Sequence, residues 1–200
     1  MADVKTALRA DPGPLGLSGF ALTTFVLSIV NVGWLSGAGD IKVVIGLAVF
    51  YGGLAQLLAG MWEFSNGNTF GATAFSSYGA FWLSWAVLLI PGFGVAFGLS
   101  SGPSDHAVGV YLLGWAIFTG ILAIGSLRLN GGLVAVFVLL FITFLLLALG
   151  ALTGGSGLTK IGGLTGILTA LAAWYVAAAG VLGTVSGGRI ALPLYPMARA

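Results

Sequence analysis

Charge and thiols are what this chain lacks. Its 200 residues include no cysteine, one histidine, seven Lys or Arg and five Asp or Glu. Without cysteine there is no disulfide framework, no thiolate metal site and no cysteine nucleophile. A soluble domain usually carries about 25% charged residues, because water must solvate its surface. Here 6% are charged and 58% hydrophobic, so lipid has to solvate most of the outside. A net charge of +2 with no Lys/Arg cluster builds no phosphate-tracking stripe, which excludes nucleic acid as a partner. There is no G-x-x-x-x-G-K-[ST] loop and no segment long enough for a nucleotide-hydrolysing domain, which argues against an ATP-driven pump. His106 stands beside Asp105 with no second ligand near in sequence, so no metal is expected. No paired acids, histidine cluster or nucleophile–base pair lies in the hydrophobic stretches, so neither enzyme chemistry nor a cofactor is expected.

What is present is apolar sequence in long runs. Crossing roughly 30 Å of hydrocarbon takes about 20 apolar residues as a helix. Six stretches reach that length: 17–35, 41–62, 69–90, 108–127, 133–152 and 161–185. Short polar or Gly/Pro breaks separate them. Barrel strands alternate every second residue over about ten positions, whereas LVAVFVLLFITFLLLAL is apolar throughout. The expected fold is all-α: one domain over residues 1–200, six transmembrane helices bundled around a narrow pore, a polar segment at 1–16 and a tail at 186–200. Residues 1–16 contain no apolar signal core, so the first helix is expected to stay in the mature protein. With six spans, Lys5, Arg9, Arg128, Arg189 and Arg199 share one side, while Lys42 and Lys160 take the other. That bias predicts cytoplasmic termini in a cell (plasma or inner) membrane.

Inside hydrocarbon each unsatisfied polar group costs several kcal/mol. Serine and threonine can bond their own helix carbonyls. A full amide cannot be satisfied that way, so Asn31 and Gln56 are expected to face the bundle interior. Thr24 and Thr73 are further polar candidates. Asn68 and Thr69 stand where the third helix begins, and a helix N-terminus with partial positive charge attracts a carboxylate without a basic side chain. No charged residue stands in the middle of any stretch. Glu63, beside Trp62, reads as interfacial. The glycines at 162 and 166, and at 33 and 37, have the small-xxx-small spacing of close helix packing.

The residues themselves resemble a known family. Asp11-Pro12-Gly13-Pro14-Leu15-Gly16-Leu17, then Gly19-Phe20, is similar to the N-P-A-P-L-G-L signature of the YaaH-type acetate/succinate transporters. Asn31-Val32-Gly33, Phe50-Tyr51-Gly52-Gly53, Ala55-Gln56, Gly67-Asn68-Thr69-Phe70-Gly71, Thr73-Ala74-Phe75 and Ser77-Tyr78-Gly79 come after it in the family's order. Asp11 and Gly13 depart from that signature. The resemblance implies six helices per subunit, a hexameric ring and a separate path through each protomer. It implies acetate, often with succinate, moving by proton symport or channel-like passage. It further implies a constriction at Phe20, Tyr78 and Leu140, with Ala173 beside it. In this reading Tyr78, Thr24, Asn31 and Gln56 donate hydrogen bonds as a carboxylate sheds water, and the aliphatic narrowing excludes bulkier acids. A channel for small neutral solutes is the alternative, because no charged group is expected within the membrane.

Overall fold

A computed structural model describes residues 10–35, 37, 39–90 and 105–197. Lys5, Arg9, Arg199 and most of the loop before the fourth span lie outside them. Six helices are long and apolar enough to cross a membrane. They are α1 Gly13–Val32, α2 Ile41–Ser65, α3 Thr69–Leu89, α4 Asp105–Ser126, α5 Gly131–Thr153 and α6 Ser156–Val185.

Local chemistry sets the ends. Asp11 accepts a hydrogen bond from the Gly13 N–H at 2.8 Å, and Pro14 sits in the first turn of α1, where a missing N–H costs nothing. Helix α1 therefore starts ahead of the apolar run. It stops at Gly33, whose φ of 87° lets the chain turn left-handed. Gly33 is thus a helix terminator rather than part of a packing face. Asn68 and Asn130 cap α3 and α5 by accepting from the N–H groups of Gly71 and Leu133. Helix α6 begins five residues before the apolar stretch, at Ser156, because nothing in Gly157-Leu-Thr-Lys160 breaks a helix.

Helix α2 is not uniform. Phe50–Ala55 forms a π turn around Gly52 and Gly53. Such a turn inserts about one extra residue, rotating the remainder of the helix by roughly 100° relative to a plain α-helix. Gln56, the next residue, is turned inward and is 1% exposed.

The helices close on one another through small residues. Helix α1 packs along α6, α6 along α5, and α5 along α4, while α2 lies against α1 and α3. A Cβ on Gly163 would stand 2.7 Å from the Val32 backbone nitrogen, and one on Gly166 would meet Ser28. The small face of α6 is what lets α1 approach, as expected where lipid gives helices no hydrophobic reason to associate. The outer sides carry apolar residues, among them Phe50, Leu58, Ile117, Ile121 and Ile124.

After α6 the chain returns as an extended strap. Tyr195 and Leu194 carbonyls accept from the Gly131 and Gly132 N–H groups, Met197 donates to the Leu129 carbonyl, and the Tyr175 hydroxyl donates to the Pro193 carbonyl. The strap thereby covers the start of α5.

Candidate functional site

Two cavities approach each other from opposite ends of the bundle. The distal cavity, of about 350 Å³, lies at the Asp105 end. Its walls include Thr24, Ser28 and Asn31 of α1, Trp82 and Trp85 of α3, Thr143 of α5 and Thr159 of α6. The proximal cavity, of about 430 Å³, lies at the Asp11 end, beside the strap. It is lined by Asp11, Glu63, Asn68, Arg128 and Asn130, together with Leu194, Pro196 and Met197 of the strap. Asp11, Glu63, Arg128 and the strap thus share one end of the bundle.

Between the two lies a gap of about 10 Å³ walled by Leu17, Phe20, Gln56, Ala74, Phe75, Tyr78, Val136, Phe137 and Leu140. A water needs roughly 10–15 Å³, so this gap is at the limit for a single molecule. Phe20 and Leu140 also line the distal cavity, while Leu17, Ala74, Phe75 and Phe137 also line the proximal one. Helix α2 adds Gln56, while the apolar side chains of the seal come from α1, α3 and α5. Each contributes residues three or four apart, so that their side chains stack on one helix face. The Phe20 and Tyr78 ring centroids are 5.9 Å apart, and Tyr78 and Phe137 are 6.3 Å apart. All four of these side chains, Leu140 included, are almost wholly buried.

Polar atoms at the seal and its distal edge divide into satisfied and unsatisfied. The Tyr78 hydroxyl and Thr119 Oγ1 of α4 share a hydrogen bond of 2.9 Å. Thr143 donates to the Leu139 carbonyl at 2.8 Å and lies 3.0 Å from Thr165 Oγ1. In contrast, Thr24 Oγ1 and Gln56 Oε1 are buried with no hydrogen-bond partner among the described residues, as are the indole nitrogens of Trp82 and Trp85. Buried polar atoms are normally paired. Here they border the distal cavity or the gap, where a solute or water can pair them.

The structure thus gathers Phe20, Tyr78, Leu140 and Gln56 at one narrowing, with Thr24 on its distal side and Asn31 also in the distal cavity. Asn68 lies in the proximal wall, but its side chain is already engaged. It caps α3 and donates from Nδ2 to Glu63 Oε2 at 3.0 Å. Thr69 and Thr73 line neither cavity nor the gap, and Ala173 is fully buried without reaching any of the three. Glu63 differs from its interfacial reading. It is 3% exposed, because it turns toward Gly71, where a Cβ would stand 2.8 Å from its carboxylate. Phe75 and Phe137 were not singled out by sequence reasoning, although each stands three residues before a constriction residue and so shares its face. His106 is exposed at the start of α4, and no group of three His, Cys, Asp or Glu among the described residues is placed to hold a metal.

Comparison with known proteins places these features in context. A family model described as the GPR1/FUN34/yaaH family matches residues 1–198. The chain is 49% identical over 174 residues to ammonia transport outward protein 2 of Saccharomyces cerevisiae, covering 86% of this chain and 61% of that one. It is 40% identical over 186 residues to the succinate-acetate/proton symporter SatP of Escherichia coli, covering 92% and 95%. The solved structure of the bacterial acetate channel SatP superposes with a TM-score of 0.86 at 38% identity, covering 94% of this chain and 99% of that one. The chain spans 61–63% of the length of four fungal relatives that it matches.

Proposed function

The chain belongs to the GPR1/FUN34/yaaH family, and from that premise we propose that it passes small monocarboxylates, acetate foremost and succinate less readily, across a cell membrane. The observation that carries this reading is the pair of cavities meeting at one apolar seal, with the unpaired Gln56 amide oxygen in it and the unpaired Thr24 hydroxyl on its distal side. Acetate has a methyl at one end and a carboxyl at the other. Phe20, Tyr78 and Leu140 accommodate the methyl, while the Thr24 hydroxyl donates to a carboxyl oxygen and the Gln56 carbonyl oxygen accepts the O–H of the protonated acid as water is shed. Asn31 serves the distal approach.

The same geometry favours the acid over the bare anion. The gap admits no hydration shell, and none of its lining residues is charged. Moving an unpaired carboxylate into such surroundings costs far more than moving its neutral form. Proton and carboxylate therefore cross together. Positive-rich loops support cytoplasmic termini. The exposed apolar sides of α2 and α4 offer surface for lipid and for neighbouring copies, consistent with a homohexamer in which each protomer keeps its own path.

Uptake of labelled acetate into proteoliposomes, against protein-free vesicles, tests the reading. Acetate accumulation above the vesicle background is the expected result, and its absence refutes the assignment. The second reading, passage of a small neutral solute, is favoured by the name of the yeast relative. It takes over if ammonia crosses and acetate does not.

A further inference from the structure

Among the described residues Glu63 is the only charged side chain that is buried. Its one side-chain hydrogen bond comes from the neutral Asn68 amide, at 3.0 Å. No cation pairs with it among the described residues. A carboxylate kept out of water with a single neutral donor is expensive, and nothing in the packing of α2 on α3 requires an acid here, since a glutamine would accept the same bond. Its neighbour Gly71 is bare, and a side chain there would strike the carboxyl. The carboxyl lines the proximal cavity a few turns below the seal. The titratable groups that share this cavity are Asp11 from the start of α1 and Arg128 from the α4–α5 turn. The cavity linings drawn from α3, α5, α6 and the strap bring no further charge.

We propose that Glu63 is the proton-exchange group of the proximal cavity. The proposal rests on the acid-transport reading above and adds the residue that makes it proton-linked. A solute carboxylate arriving from the proximal side takes the proton of the neutral Glu63 carboxyl. The solute O–H bond forms as the Glu63 O–H bond breaks, and the neutral acid moves on to Gln56 and the seal. The resulting Glu63 carboxylate regains a proton from water on the proximal side. In the reverse direction Glu63 receives the proton that the emerging acid gives up. Asn68 acts as a positioning residue, because its Nδ2 holds one carboxyl oxygen and leaves the other free for exchange.

Purified protein in proteoliposomes with an internal pH dye, assayed from mildly acidic to neutral pH, tests this. Without a resident exchange group, the rate follows the neutral fraction of acetic acid in solution, which falls about tenfold per pH unit above the acid's own pKa. The native protein is expected to show a distinctly shallower slope, and Glu63→Gln the full tenfold slope, with elution in detergent unchanged. Equal slopes in native protein and E63Q overturn the proposal and leave Glu63 as no more than the partner of Asn68. If E63Q does not reach the membrane, Glu63→Asp replaces it. E63D retains a titrating carboxyl and is expected to keep the shallow slope, and the full tenfold slope in E63D overturns the proposal. Native protein that moves no acetate above protein-free vesicles refutes the transport reading instead, so the two failures are distinct.

Discussion

Thr24 and Leu140 mark the two ways in which a residue serves the seal. The Thr24 hydroxyl is buried without a partner, a situation that costs the resting protein about 1–3 kcal/mol. Thr24→Val keeps the shape and removes the cost. It is expected to raise the melting temperature in detergent while slowing acetate uptake about tenfold, the equivalent of one lost hydrogen bond of about 1.4 kcal/mol. A variant that is more stable and equally fast would show that no solute uses that hydroxyl. Leu140 acts by volume instead. It borders both the gap and the distal cavity, so Leu140→Ala opens the gap beyond the size of one water. Uptake of longer monocarboxylates such as butyrate is expected to rise relative to acetate, and an unchanged preference counts against a role in selection. Sequence reading singled out Thr24 as a polar residue within a span and Leu140 through a family pattern, but it cannot say which hydroxyls already have a partner. Tyr78 was expected to offer its hydroxyl to the solute. Thr119, forty-one residues away, also pairs with it, and such a pairing depends on how α3 meets α4.

The helices show why some elements are readable and others are not. Hydropathy locates all six spans because the bilayer demands a fixed apolar length. It is blind to the π turn at Phe50–Ala55, because an α-helix and a π-helix of the same residues have the same mean hydropathy. It is equally blind to the strap, which is held mainly by main-chain hydrogen bonds. Glycine is the one residue type whose spacing hints at contacts, and only some of those hints are structural. A Cβ at Gly163 would meet the α1 backbone, whereas one at Gly46 meets nothing within 4 Å in this protomer. Gly163→Ala is therefore expected to push α1 from α6 and lower the melting temperature. Gly46→Ala is expected to leave it unchanged or to raise stability by roughly 0.5–1 kcal/mol through helix propensity. Thermal unfolding in detergent, followed by circular dichroism, separates the two. Equal behaviour would mean that the small face of α6 does not set the packing of α1.

At the scale of the whole molecule, the proposed path has its narrowest part in one short apolar layer between the two cavities. An anion crossing that layer alone would carry its charge through most of the transmembrane field. At about 2.3 kcal/mol per charge for each 100 mV, its equilibrium accumulation would shift about fiftyfold. An acid crossing with its proton carries no net charge and is indifferent to the field. The seal contains no charged residue and has no room for a hydration shell, which on the proposed reading favours the neutral crossing. Proteoliposomes clamped with a potassium diffusion potential should then accumulate acetate to the same level at 100 mV (roughly) of either sign, while an imposed pH difference should drive accumulation. If acetate follows the potential, the carboxylate crosses as an anion. The polar atoms at Thr24 and Gln56 would then have to replace its water without any help from a proton, and Glu63 would have no proton to exchange with it.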